Sequence, residues 1–182
     1  MSVIGTCRVL ERGIIWIGAL VAWVTLIPLI AVSVYDMIGR QFFRVGSTAL
    51  QELEWHFFLT LVMLGLGYAY LRDAHVRIDI VRDHLMPRTR AWVELVGCLL
   101  VLIPFCLILI VHGGQFVLNS FATAEGARAA LGLPMRWIIK SALPVGGLLL
   151  LLAGLSVAVR NAMFLAGRAT GPAPANGAVQ RG

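Results

Sequence analysis

The side chains of this 182-residue chain best suited to bind a metal or carry a proton near neutral pH are its four histidines, His56, His75, His84 and His112. Two imidazoles facing each other across a helical bundle can ligate a b-type haem. His75 and His84 lie in a charged stretch between apolar runs, whereas His56 opens one apolar run and His112 closes the next. If those two runs are antiparallel helices, His56 and His112 fall towards the same side. One ligand pair is therefore compatible with the spacing, and a haem- or quinone-binding membrane anchor of an oxidoreductase stands as the alternative function. Other chemistry is thinner. No G-x-S-x-G, H-E-x-x-H, Walker or G-x-G-x-x-G pattern occurs, so hydrolase, metalloprotease and nucleotide-binding readings lack their motifs. Cys7, Cys98 and Cys106 form no C-x-x-C pair, and two of them share one apolar run, so buried inert thiols are expected. The expectation is a non-enzyme without cofactor or metal.

The elements that must position these residues follow from composition. Apolar residues make up 59% of the chain and charged residues 13%, which places it in lipid. A charge costs about 2.5 to 3.5 kcal/mol at the centre of a membrane helix, so charge-free intervals mark the spans. Four such intervals lie between Arg12 and Asp36, Glu54 and Arg72, Glu94 and Glu125, and Lys140 and Arg160. Each can supply the residues needed to cross a hydrocarbon core, about 20 in number. The expected fold is an all-α integral membrane domain over residues 1–166, with spans at 13–35, 54–71, 93–113 and 140–160. Residues 167–182 are rich in Gly, Pro and Ala and read as a disordered tail. The third interval exceeds one crossing, so its end beyond His112, carrying Gln115, Asn119 and Ser120, should leave the bilayer or bend along it. Pro28 and Pro104 predict kinks within spans, while Pro144 falls in the tolerant first turns of the last helix.

Basic residues set the orientation. Arg8, Arg12, Arg72, Arg77, Arg82, Arg88, Arg90, Arg160, Arg168 and Arg181 fall on one side, against Arg40, Arg44, Arg128, Arg136 and Lys140 on the other. The positive-inside rule then puts both termini and the middle loop of this multi-pass inner-membrane protein in the cytoplasm. These arginines alternate with apolar runs and form no continuous basic face, so lipid is a partner and nucleic acid is not. Within the middle loop Ile78, Val81 and Leu85 share a helical face, and Asp79 is placed to cap a short interfacial helix ended by Pro87.

Several charged residues sit where they can fasten helix ends. Asp36 and Arg40 are four apart with the acid first, the favourable order for a helical pair. Glu52 and Glu54 open the second span, where negative charge suits the helix dipole. Glu54 is placed to pair with Arg40 or Arg44 across the hairpin, or with a partner subunit. Trp55 and Tyr70 mark the two interfaces of this short span.

From Tyr35 to about Arg160 the order of features resembles the small membrane subunit, the Q component, of the tripartite ATP-independent periplasmic (TRAP) transporters. The resemblance is carried by GRQFF at Arg40, by LQELEWHFF, by LGLGYAYLRDAHVRIDIV, by the Leu85-Met86-Pro87-Arg88 turn and by LGLPMRWIIKSALPVGG. It implies a small non-catalytic subunit that braces a large TRAP membrane subunit. That partner would carry the substrate and ion sites for uptake of an organic acid delivered by a periplasmic substrate-binding protein. Arg40, Glu52, Glu54, Trp55, Arg72, His75 and Asp79 become candidate structural or subunit-interface residues, with no catalytic, substrate-binding or metal residue expected. The bottom-up reading agrees, because the spans lack the midplane charges and broken helices of a transport site.

Overall fold

In lipid a helix satisfies its own backbone polar groups, so long apolar stretches of this chain have few alternatives. The computed structural model describes residues 3–43, 46–72, 74, 85–126 and 134–167, and every regular element among them is helical. In chain order these are α1 (Val3–Phe43), α2 (Thr48–Leu71), α3 (Pro87–Gly97), a π-helical turn (Cys98–Leu102), α4 (Ile103–Ala122), α5 (Arg136–Lys140) and α6 (Ala142–Leu165). Three continuous stretches, Ile4–Phe43, Pro87–Ala122 and Arg136–Leu165, are long and apolar enough to cross a membrane. The 24-residue α2 is shorter than these, though long enough for one crossing of about 20 residues, and Glu52, Glu54 and His56 dilute the apolar character of its first turns.

The periodicity of α1 explains its placement. Cys7, Ile14, Thr25 and Asp36 are buried, and their spacings of 7 and 11 are close to whole helical turns. Trp16, Leu20 and Trp23 lie on the opposite side and are exposed. Helix α1 packs along α2, α2 packs on α6, and α6 packs in turn on α3, the π-helical turn and α4. The order across the bundle is thus α1, α2, α6, α4, with α6 the most enclosed.

Small residues allow this enclosure. A Cβ on Gly67 of α2 would lie 3.0 Å from the Leu149 carbonyl oxygen of α6, and one on Gly146 of α6 would press into the Met63 carbonyl of α2. The two backbones approach through reciprocal glycines, the contact that drives helix association where lipid is as apolar as leucine.

At two places the structure adds detail to the sequence reading. Pro104 produces a widened turn immediately before it: the Ile103 N–H donates to the Cys98 carbonyl oxygen, five residues back. Proline lacks an N–H and its ring crowds the carbonyl four residues earlier, and a π-helical turn accommodates both. The stretch beyond His112 continues as unbroken helix to Ala122. From Pro87 to Ala122 the rise is about 54 Å, well beyond a hydrocarbon core of about 30 Å. Pro144 sits at the third position of α6, as expected. Leu85, expected in the interfacial helix, lies at a bend just before Pro87 opens α3; the earlier part of that expected helix, together with His75, Asp79 and the tail from residue 168, lies outside the described residues.

Candidate functional site

Charged and polar side chains gather at the two ends of the bundle. At the end that the charge pattern assigns to the periplasm, the C-terminal turns of α1 meet the first turns of α2. The Arg40 guanidinium pairs with Asp36, Nη2 to Oδ2 at 2.5 Å, so the predicted i,i+4 pair is present. Arg40 also turns to Gln51 of α2, whose carboxamide oxygen accepts from Nη1 at 2.6 Å when oriented towards it. Asp36 is 6% exposed, so its charge rests on Arg40.

A second cluster sits beside this one. Met135, in the left-handed region at φ 62° and ψ 51°, turns the chain into α5, which carries Arg136 and Lys140. Lys140 is the only lysine of the chain and is 9% exposed. A buried ammonium must be paired. Its Nζ donates to Glu125 Oε2 and lies 3.7 Å from the centroid of the Phe116 ring, which gives it a carboxylate and an aromatic face together. Arg136 reaches Glu52 Oε1 at 3.6 Å and Glu125 Oε1 at 3.9 Å, joining the start of α2 to the end of α4. Trp137 meets Phe121 edge to face, with ring centroids 5.6 Å apart.

The hydrogen bond from Lys140 holds the Glu125 carboxyl below its ordinary value of 4.5. A carboxyl whose pKa is depressed by folding contributes stability above the unfolded value and loses it as pH falls through the folded one. Wild-type protein should therefore lose thermal stability as pH falls from 5 towards 3.5, roughly the range below an ordinary Glu pKa. Glu125→Gln should be less stable at pH 7 and show a shallower fall over the same range. Parallel melting curves in detergent at each pH would check this, and an unchanged pH dependence would remove Glu125 from the clamp.

The other predicted residues are placed as follows. Glu52 joins the Arg136 cluster. Glu54 is half-buried, while the Arg40 that the hairpin offered it engages Asp36 and Gln51. Trp55 is exposed and contacts Phe58 edge to face. Arg72 follows α2, its N–H bonding the Tyr68 carbonyl while its guanidinium lies 5.6 Å from the Tyr68 ring centroid. His56 Nδ1 is 2.5 Å from the Glu52 carbonyl oxygen, and His112 is exposed on α4. Among the described residues no group of three His, Cys, Asp or Glu side chains is arranged to hold a metal ion.

Sequence reasoning passed over the opposite end, where α6 is tied to both flanks. Arg160 Nη1 donates to both carboxylate oxygens of Glu11 on α1, at 2.9 and 2.8 Å, and Ser156 Oγ donates to the same carboxylate at 2.8 Å. The adjacent Asn161, with no exposed surface, donates Nδ2 to Glu94 Oε2 of α3 at 3.0 Å. The available signal was Ser156 and Arg160 four apart on one helical face, with an asparagine beside them at the end of an apolar run. These residues can clamp helices, and each charge they carry is met by one of the opposite sign or by a hydrogen bond.

Comparison with known proteins gives this architecture its place. Residues 29–163 match the family model described as tripartite ATP-independent periplasmic transporters, DctQ component. The chain is also 26% identical over 108 residues to a Haemophilus influenzae protein named "Putative TRAP transporter small permease protein"; the match spans 57% of this chain and 66% of that relative's length. The family match runs from the last third of α1 to nearly the end of α6, and this chain belongs to the DctQ component family of the tripartite ATP-independent periplasmic transporters.

Proposed function

We infer that the chain is the small, non-catalytic membrane subunit of a TRAP-type secondary transporter. It braces a large permease subunit during ion-coupled uptake of an organic acid supplied by a periplasmic binding protein. The observation that carries this reading is the family match over residues 29–163, in a chain whose described ion pairs fasten its own helices to one another. A transport site needs polar groups free to replace a solute's hydration, typically at broken helices near midplane. Here the described ion pairs lie at helix ends and are mutual. In the proposed arrangement α2 is a fourth span, enclosed between α1 and α6, which is how its polar first turns are sheltered. Both termini and the Arg72 to Arg90 loop then face the cytoplasm of the inner membrane. Arg40, Glu52 and Arg72 are structural fasteners on this reading, while Glu54 and Trp55 are open to a neighbouring subunit, as are His75 and Asp79 in the loop.

Two measurements test the reading. Co-production with a large TRAP membrane subunit and capture on a tag placed after Gly167 should recover both chains in fixed ratio, and uptake should need this chain as well as the binding protein. Full uptake without this chain would overturn the bracing role. For topology, single cysteines at Ser47 and Ala127, with the three native cysteines replaced by alanine, should react with an impermeant thiol reagent on intact spheroplasts. A cysteine at Thr89 should not, and the reverse pattern would invert the orientation.

A further inference from the structure

Two guanidiniums stand together on the first turns of α1. Arg8 and Arg12 are exposed, four residues apart, and the series continues one turn further with the exposed indole of Trp16, then Leu20 and Trp23. Glu11 lies between them in sequence, yet its carboxylate is turned to α6 and taken by Arg160 and Ser156. Among the described residues neither Arg8 nor Arg12 has an ion pair or a hydrogen bond. Like charges at this spacing repel each other, and the N-terminal end of the helix dipole adds positive potential beside them. Arg72 offers the contrast, since its guanidinium is set over the Tyr68 ring. The first turns of α1 thus carry two forked phosphate-binding groups, with no described anion of the chain between them, directly above an apolar strip.

Depth decides which anion fits. Tryptophan settles at the boundary between hydrocarbon and headgroups, and the headgroup layer is about 5 to 8 Å thick on each side. At about 1.5 Å per residue, Arg12 lies about 6 Å above Trp16 and Arg8 about 12 Å. Arg12 is level with the lipid phosphates, and the stem of Arg8 is long enough to bend back to the same level. A soluble phosphate ester would leave Trp16, Leu20 and Trp23 uncovered, whereas a lipid covers both parts at once. We propose that Arg8 and Arg12 hold the headgroup phosphate of one anionic phospholipid, with an acyl chain lying on Trp16, Leu20 and Trp23. This rests on α1 crossing the bilayer and not on the small-subunit reading, and the family match begins at residue 29, beyond all five residues.

The full chain in mild detergent, mixed with equal amounts of phosphatidylglycerol and phosphatidylcholine and passed through gel filtration, reports the site by the lipids that stay bound, counted by mass spectrometry. Phosphatidylglycerol is expected in at least roughly tenfold excess, each arginine near an anionic headgroup being worth about fivefold. Raising the salt should erase that excess. Arg8→Gln with Arg12→Gln should stay monodisperse and retain the two lipids equally. Arg72→Gln with Arg88→Gln removes as much charge from the same end of the bundle and should keep the preference. Equal retention by the wild-type chain, or an excess indifferent to salt, would overturn the site. So would an Arg8 and Arg12 double variant that keeps the preference, or equal loss in both double variants, which is the result for a diffuse positive surface. Inorganic phosphate at the concentration of the lipid should displace nothing, and displacement would mean a site for free anions in place of the one proposed. The salt and phosphate measurements need no variant, so they decide the matter even if the double variant does not fold.

Discussion

Gly146→Ala is expected to produce a chain that inserts but does not survive purification as a single species. The added methyl group would meet the Met63 carbonyl carbon and oxygen, which belong to the backbone of α2 and cannot rotate away. Relief requires α2 and α6 to separate, which also opens the Gly67 contact with Leu149 one turn further along. Overpacking of this kind costs about 3 kcal/mol where no side chain can yield. Gly65→Ala, on the same α2, makes a matched control, because a Cβ there meets nothing within 4 Å. The fraction of each variant that stays monodisperse in mild detergent after graded heating should separate them widely. Equal survival would mean that the two helices are not held at the distance described.

Arg160→Leu should destabilise nearly as much, for an electrostatic reason. Glu11 and Arg160 have side-chain exposures of 14% and 19%, and among the described residues Arg160 is the positively charged partner of Glu11. Removing one member of a buried pair typically costs about 3 to 5 kcal/mol, because the remaining charge is left desolvated, and the partial exposure here places the effect near the lower figure. Glu11→Gln in the same chain should recover much of the loss by removing the orphaned charge, since Ser156 can still bond the amide. Thermal melting of the two single variants and the double variant, as a double-mutant cycle, is the check. Additive losses would show that the pair does not couple α1 to α6.

These residues also show how far the sequence could be read. Charge-free intervals sufficed to place the helices, because the cost of a charge in lipid is large and local. The Asp36 to Arg40 pair was legible for a related reason: its partners lie one turn apart on the same helix. Glu11 with Arg160, Glu94 with Asn161 and Glu52 with Arg136 were not legible, since each depends on how one helix is rotated about its axis relative to another. Hydropathy at a single position says nothing of that rotation. Helix length was underestimated for a different reason, as the apolar interval measures the bilayer while the helix continues past it. Hence α1 runs from Val3 to Phe43 around an interval that begins at Arg12 and ends at Asp36. Of the candidate residues, Arg40 and Glu52 fall in the clusters at the α1–α2 hairpin end, and Glu54 is half-buried on the first turns of α2.

The widened turn ahead of Pro104 has a consequence for rhythm. Along the stretch from Pro87 to Ala122 the buried residues are Ala91, Cys98, Cys106, Gly113 and Ser120. They recur every seven positions except once, between Cys98 and Cys106, where the step is eight. In an unbroken α-helix that extra residue would swing everything downstream about 80° out of phase, carrying Gly113 away from Pro144 and Ser120 towards the outside. The π-helical turn absorbs the residue as a leap day absorbs the fraction of a year, and both halves keep time with the same neighbour. Deleting one residue between Leu99 and Leu102 would leave a regular heptad, but with Pro104 crowding a turn that could no longer widen.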